Sequence, residues 1–322
     1  MRHGRACLAL LNDQTIEASE WLDKICKIPA DRPGLPGGQA RRWQSRAAML
    51  RPLSVPDTVR EYCMFNGFRR WREDRRLAAL DVPVATWETA IADWPVAARY
   101  QGEERQRLRE LALRFLLRKG FASGAGLTIT DTMRLKVATM AAVPVLNLGL
   151  DWYDGWYTVV LYEGAFIPSH HGPDEFGLVH EEPDVLSGEA WEQGPVVLSW
   201  EDVCAASAEE GYNVVLHEMA HKLDMRRDGA NGAPPLHGLD GARWHDTFTA
   251  AWDDLTEREQ QGRPMPVDSY ALENPGEFFA VVTECFFEAP ARLQQAWPAL
   301  YIELSRFYRQ DPLAQQMALS PA

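Results

Sequence analysis

The segment Leu216–Asp224 (LHEMAHKLD) constrains the fold most, because it places His217 and His221 four residues apart with Glu218 directly after the first histidine. On an α-helix, residues at this spacing lie on one face about 6 Å apart along the axis, so both imidazoles can bind one metal ion. The neighbouring carboxylate is suited to take a proton from a water that the ion activates, as in HExxH zinc hydrolases. The pattern therefore predicts a helix with a zinc-binding face.

Apolar residues at helical spacing surround this motif and predict a helix over Tyr212–Asp224 that is buried along one side. They are Val214, Val215, Leu216, Met219, Ala220 and Leu223. The alternative is that the two histidines are ordinary surface or core residues of such a helix. The adjacent Glu218 favours a metal site, with one Zn²⁺ ion per chain and with His217 and His221 as ligands.

The charge balance and the cysteines limit the partners and the compartment. The 322 residues carry a formal net charge of −13, which argues against nucleic acid as a direct partner. Residues 121–322, which contain the motif, carry a net charge of −20, and this favours retention of a cation. Five cysteines without a CxxC pair indicate free thiols and a cytoplasmic protein. The longest apolar stretch, Val137–Leu150, is interrupted by Pro144 and is too short for a membrane span.

The predicted elements around the motif are helices and a few short strands. Residues 1–64 show no sustained apolar period, so we predict a loosely ordered extension, or a segment before the true start, ahead of one domain over residues 65–322. The domain elements are a helix over Glu103–Phe121, a strand over Leu127–Thr130, a helix from Asp131 to about Leu146, and strands over Thr158–Ile167 and Pro195–Trp200. A loop rich in glycine and proline, residues 228–241, is predicted at the mouth of the site.

Catalytic zinc sites usually have three protein ligands, so a third side chain must come from elsewhere. Glu277 is one candidate, at the start of a predicted helix with Asn274 as the N-cap and Pro275 as the first helical residue. A capping box also places a glutamate at this position, so the spacing leaves its role open. The competing carboxylates are Glu273, Glu284 and Glu288. A carboxylate in this apolar segment needs a partner, and either a metal ion or a ligand histidine would serve.

Three parts of the chain resemble the Mlc titration factor A family of zinc metallopeptidases. They are HEMAHKLD followed by DSYALENPGEFFAVVTECFFE, the upstream NLGLDWYDGWYTVVLYEGAFI, and GLVHEEPDVLSGEAWEQGPVVLSW. The resemblance runs from about Phe65 to Pro312. It implies an α+β fold of the zincin type, similar to the catalytic domain of anthrax lethal factor. That fold is mainly helical, with a small mixed sheet and an active-site helix that carries the HExxH motif.

The resemblance also implies roles for three residues outside that helix. Glu277 becomes the third metal ligand. Tyr270 lies seven residues before it, where a tyrosine assists the reaction in lethal factor; the alternative is a packed tyrosine with a bonded hydroxyl. His180 matches a further metal-associated histidine, which as a fourth ligand would close the site at rest. From the residues alone, a histidine beside acidic residues is more often a surface group.

The sequence thus predicts a zinc peptidase, of the aminopeptidase-like type that the family implies, with Glu218 as general base. Asp224, one turn after His221, is either an acceptor that fixes a ligand ring or an exposed helix residue. The strand Thr158–Ile167 would pair with an extended peptide substrate if it lay at a sheet edge.

Two competing functions stay open. One is a regulatory protein that sequesters a glucose-responsive transcriptional repressor of the Mlc type without cleaving it, which the family resemblance implies. The other is hydrolysis of a non-peptide amide, which uses the same water activation.

Overall fold

The computed structural model describes residues 71–124, 126–164, 194–206, 211–226 and 229–319. The predicted extension over residues 1–64, the strand residues 165–167 and His180 lie outside these ranges, and the domain boundary at residue 65 stays a prediction. Residues 71–79 are helical and belong to a separate unit of the chain. The described residues from Val82 onward form one compact unit, whose fold is given below.

The first part of this unit is helical, with α1 (Val84–Ile91), α2 (Gly102–Arg118) and α3 (Asp131–Ala142). α3 packs against both of the others and is buried on nearly all sides. Trp87 of α1 donates a 2.9 Å hydrogen bond from Nε1 to Oγ1 of Thr139 in α3, and both side chains are buried. Each buried polar group thus has a partner, which lets α3 lie in the core without an uncompensated polar atom there.

The sheet has three strands, β1 (Gly120–Ser123), β2 (Thr158–Tyr162) and β3 (Val196–Ser199). β2 lies between the other two, and both pairs are parallel, with Gly120 opposite Thr158 and Val159 opposite Val196. Parallel neighbours need a long crossover connection, and α3 lies in the one between β1 and β2. The predicted mixed sheet is therefore wrong for the described strands, since they pair only in parallel.

The central position of β2 decides the hypothesis of substrate pairing. The strand predicted over Thr158–Ile167 is confirmed over Thr158–Tyr162, but it is hydrogen-bonded on both sides. It cannot add a substrate strand there, so that hypothesis is wrong. The strand predicted over Pro195–Trp200 corresponds to β3, and Trp200 already starts the next helix.

Three other predicted boundaries differ from the structure. The helix predicted to Phe121 ends at Arg118, because Gly120 N–H donates to the Tyr157 carbonyl at 2.8 Å and the chain enters β1. No strand forms over residues 127–130, all of which are described; instead Thr130 caps α3 by accepting from the N–H of Met133, in the role predicted for Asp131. α3 ends at Ala142 rather than near residue 146, because Pro144 disfavours helical geometry in the residue before it.

Helices make up most of the chain after the sheet. They are α4 (Trp200–Ala205), α5 (Val214–Asp224), α6 (Gly241–Gln260), α7 (Pro275–Glu288), α8 (Pro290–Ala296), α9 (Pro298–Tyr308) and α10 (Pro312–Leu319). α5 packs along α7, and α7 is almost completely buried. The fold is α+β and mainly helical. Within the described ranges, every helix is too short or too polar to cross a membrane.

Candidate metal centre

α5 carries the HExxH motif and starts at an asparagine cap. The side-chain oxygen of Asn213 accepts from the N–H groups of Val215 and Leu216, both at 3.1 Å, so the helix begins at Val214 rather than at the predicted Tyr212. Its predicted apolar face is confirmed, since the residues listed here are fully buried: Val215, Leu216, Met219, Ala220 and Leu223. The opposite face, which carries the two histidines and Glu218, stays partly exposed.

α7 starts as its sequence predicts, with Asn274 as the cap and Pro275 as the first helical residue. The Asn274 oxygen accepts from the N–H of Glu277 at 3.0 Å. The Glu277 carboxylate, however, faces the two imidazoles, with Oε2 3.0 Å from Nε2 of His217 and Oε1 3.4 Å from Nε2 of His221. The cap therefore positions this backbone while the side chain serves the histidine cluster.

Hydrogen bonds hold α5 and α7 side by side in opposite directions. At the start of α5, the backbone N–H of Asn213 donates to Glu284 Oε2 at 2.7 Å, and its side-chain amide donates to Glu288 Oε1 at 2.6 Å. Both glutamates belong to the end of α7. Each of these buried polar groups is thereby paired.

The other end of α5 is held through a loop. Asp224 Oδ2 accepts from the N–H of Gly232 at 2.7 Å, and Gly232 lies directly against the start of α7. A Cβ on Gly232 would come within 2.7 Å of the Pro275 carbonyl oxygen, and the backbone there has a φ of +76°. Glycine is therefore required at this contact. Both helix ends are fixed, so the position of Glu277 relative to His221 is fixed as well.

Three donor atoms converge between the helices. Nε2 of His217 and Nε2 of His221 lie 3.1 Å apart, and with one Glu277 oxygen they form a group whose atoms all lie within 4.8 Å of one another. Ligands bonded at about 2.0–2.1 Å to a tetrahedral zinc ion are separated by about 3.3 Å. The observed contacts of 3.0, 3.1 and 3.4 Å match that spacing. Two imidazoles and one carboxylate therefore fit a zinc ion in number, type and spacing.

The charges of this cluster are strongly coupled. Burial alone would lower the pKa of His217, but hydrogen bonds with Glu277 and Glu284 raise it to about 10. Burial alone would raise the pKa of Glu277, but its hydrogen bonds with both histidines bring it to about 2. An acidic environment thus stabilises positive charge between the helices, which a metal cation would supply in place of a proton.

Glu284 lies on the far side of the His217 ring from the converging atoms. Its Oε1 is 2.7 Å from Nδ1 of His217, and its side chain is only 4% exposed. Burial raises the pKa of Glu284, while the hydrogen bond with His217 opposes the shift. A carboxylate on Nδ1 fixes the orientation and tautomer of an imidazole that binds metal through Nε2.

The geometry separates Glu277 from the three competing carboxylates. Glu284 contacts the opposite ring nitrogen of His217, Glu288 bonds to Trp94 Nε1 and to Asn213, and Glu273 is exposed. Among the described residues, the cluster of possible metal donors contains Glu277 and none of the other three.

Asp224 is fully buried, so the alternative of an exposed helix residue is wrong. Its Oδ1 and the Nδ1 of His221 are both buried, and neither has a hydrogen-bond partner within the described part of the chain. Burial raises the pKa of Asp224 to about 6, against the pull of its backbone donors and of His221. Its observed role is to anchor the loop at Gly232.

The cluster opens into a cleft of about 630 Å³, lined by His217, Glu218 and Tyr270 among others. The Tyr270 ring centroid lies 6.2 Å from that of His217, and the residue is 50% exposed, which does not fit a packed tyrosine. Partial burial and the nearby carboxylates of Glu277 and Glu273 raise the pKa of Tyr270. Its hydroxyl therefore keeps a proton that it can donate toward the cleft.

The glycine- and proline-rich loop lies elsewhere than predicted. Its described residues 231–239 line a second cavity of about 730 Å³ together with apolar side chains of α6, including Trp244 and Phe248. This cavity meets α7 at Pro275 and Phe278, whereas the cleft meets α7 at Val281 and Glu284. The loop thus supports the start of α7 rather than forming the mouth of the cleft.

Two residues of the site were missed from the sequence. Asn213 precedes an apolar run, which is an N-cap signal that could have been recognised. Arg292, which lines the cleft from α8, has no spacing relation to the motif, so only the fold brings it there.

Comparison with known proteins agrees with the resemblance seen in the sequence. The pattern of the glucose-regulated metallo-peptidase M90 family matches residues 68–309. Proteins named Mlc titration factor A from Yersinia pestis (strain Pestoides F) and Yersinia pseudotuberculosis (serotype O:1b, strain IP 31758) are each 40% identical to the chain over 250 residues, which is 76% of this chain and 90% of theirs. The chain therefore belongs to the M90 family of glucose-regulated metallo-peptidases, to which these Mlc titration factors are similar over most of their length.

Proposed function

We propose that this protein is a zinc-dependent peptidase in which His217, His221 and Glu277 hold one Zn²⁺ ion. The observation that carries the proposal is the convergence of two Nε2 atoms and a carboxylate at the separations of a tetrahedral site. Glu284 would keep the His217 ring in place through Nδ1. When bound, zinc acidifies water and polarises a carbonyl group.

Glu218 is proposed as the general base. It is the residue next to His217, it is partly exposed, and it lines the same cleft. Its carboxylate takes a proton from the attacking water and returns it to the amine that leaves when the C–N bond breaks. A group that works in both directions in this way has to face the substrate, as its position in the cleft allows.

Tyr270 is proposed to donate a hydrogen bond to the oxygen that gains negative charge as water adds to the carbonyl. Its half-exposed side chain and raised pKa support this role. Aminopeptidase-like action on peptides and a cytoplasmic location remain proposals that rest on the family resemblance. His180, as a fourth ligand that closes the resting site, remains a prediction outside the described residues.

The direct test replaces Glu218 with glutamine, which keeps the shape of the side chain and removes its basicity. We expect the variant to retain one zinc ion per chain by elemental analysis and to lose peptide hydrolysis by at least about 100-fold, the typical contribution of a general base. Glu259→Gln, at an exposed position of α6, serves as the matched control and should behave as wild type. Hydrolysis retained in the Glu218 variant would remove Glu218 from the base role.

A second candidate function is the capture of a transcriptional repressor of the Mlc type, supported by the name Mlc titration factor A of the similar Yersinia proteins. Binding without cleavage would not need the base. Repressor captured by the Glu218→Gln variant would support both functions in one protein. Zinc-loaded wild-type protein that binds the repressor and hydrolyses no peptide would favour regulation alone.

A further inference from the structure

The cleft beside the metal centre is lined by side chains of opposite charge. Three carboxylates, those of Glu218, Asp268 and Glu284, face or border it. Arg292 is the one guanidinium or ammonium group among the lining residues that the structure describes. An acidic group entering such a cleft would be repelled by most of its wall, and Arg292 is the side chain that can reverse this repulsion.

The position of Arg292 is set by two contacts. Its NH2 group lies 3.7 Å from Sγ of Cys285, the residue after Glu284 on α7. The guanidinium also lies directly against Gly211, where a Cβ would come within 1.8 Å of NH2. A side chain at position 211 would therefore displace the guanidinium. The backbone before α5 leaves room for this cation at the wall of the cleft.

The guanidinium is close to the proposed chemistry along the cleft. Arg292 contacts Cys285, the neighbour of Glu284, and Glu284 holds His217. Val214, one helical turn before His217, lines the same cleft, and that turn rises about 4.5 Å. Because an extended peptide advances about 3.3 Å per residue, a substrate group within a few residues of the scissile bond reaches this end.

We infer that Arg292 is a specificity-determining residue that binds a carboxylate of the peptide substrate in this cleft. The planar guanidinium matches a carboxylate with two parallel N–H···O hydrogen bonds, which a neutral amide cannot form with the same charge assistance. The carboxylate is either the C-terminal group of a short peptide or an acidic side chain. The inference rests on the proposed peptidase function only in that the ligand is a peptide.

Binding is measured on zinc-loaded Glu218→Gln protein, so that turnover does not disturb it. Four unlabelled pentapeptides are titrated by calorimetry: pentaalanine with a free C-terminus, its C-terminal amide, and the amide with a central glutamate or glutamine. Adding Arg292→Gln should weaken binding of the carboxylate-bearing peptides by at least about tenfold, since a charge-assisted hydrogen bond contributes about 1.5–3 kcal/mol. Binding of the neutral peptides should stay unchanged.

The peptide pairs distinguish the two sources of the carboxylate. A loss confined to the free acid identifies the C-terminal group, and a loss confined to the glutamate peptide identifies a side chain. Arg292→Lys keeps the charge without the fork, so it should retain part of the affinity and should carry the test if Arg292→Gln lowers zinc content or folding. Arg306→Gln on α9, outside the cleft, removes the same charge and should leave all four affinities unchanged.

Equal affinity of the parent protein for acidic and neutral peptides, or an equal effect of Arg292→Gln on all four, would overturn the inference. The same loss in the Arg306 variant would also overturn it, because net charge would then be the cause. If wild-type protein hydrolyses no peptide but the Arg292 dependence is found, the proposed peptidase function fails and the inference stands.

Discussion

Replacing Glu288 with glutamine should change how the stability of this protein depends on pH. Glu288 is buried at the end of α7, where its Oε1 accepts from Trp94 Nε1 at 2.9 Å and from the Asn213 amide at 2.6 Å. Burial raises its pKa from 4.5 to about 7, and hydrogen bonds from these two donors oppose the shift. Glutamine has nearly the same shape and keeps an acceptor oxygen for both, so the variant removes chiefly the titration.

The sign and size follow from proton linkage. The folded protein holds the Glu288 proton up to about pH 7, whereas the unfolded chain loses it near pH 4.5, so wild-type stability falls as pH rises between these values. At 1.36 kcal/mol per pKa unit, this carboxyl lowers the free energy of unfolding by about 2.5 kcal/mol from pH 5 to pH 8. The variant lacks this loss, so it should gain about that much relative to wild type over the same interval.

The assay is equilibrium unfolding in urea at several pH values between about 5 and 8, with a chelator present so that bound metal does not add its own linkage. The quantity to compare is the difference in unfolding free energy between variant and wild type, because other titrating groups cancel in it. Glu259→Gln at an exposed position should show a difference that is constant with pH. A constant difference for Glu288→Gln as well, or one that falls as pH rises, would refute the reasoning.

Three further predictions concern the site itself. Glu277→Ala should weaken zinc retention after dialysis, and unchanged zinc content by elemental analysis would move the third ligand to Glu284 or Glu273. Tyr270→Phe should lower kcat by about 100-fold with little change in KM, the signature of a donor used in the transition state, and equal rates for both proteins would exclude that role. Asn213→Ala should lower the unfolding free energy by about 1–2 kcal/mol for the lost cap of α5, and more for the unpaired Glu288, as measured by urea unfolding.

Local patterns in the sequence carried much of the site. The start of α7 could be predicted because an asparagine cap, a proline and a glutamate each have a fixed place in the first helical turn. The buried face of α5 could be predicted because its apolar residues recur with the period of a helix. Both features depend on residues within a few positions of one another.

Features that depend on distant residues could not be predicted in this way. Glu277 and Glu284 lie seven residues apart on one face of α7, and only the packing against α5 assigns them to opposite nitrogens of His217. Likewise, Gly120 pairs with the distant β2, and this ends a helix that local periodicity extends to Phe121. The position of Arg292 in the cleft also results from tertiary structure alone.

The most direct test of the central claim is a crystal structure of the zinc-loaded protein with anomalous diffraction measured on both sides of the zinc absorption edge. We predict one zinc peak bonded at about 2.0–2.2 Å to Nε2 of His217, Nε2 of His221 and a carboxylate oxygen of Glu277. A peak bonded to Glu284 or Glu273 in place of Glu277, or protein that takes up no zinc at micromolar concentration, would contradict the account.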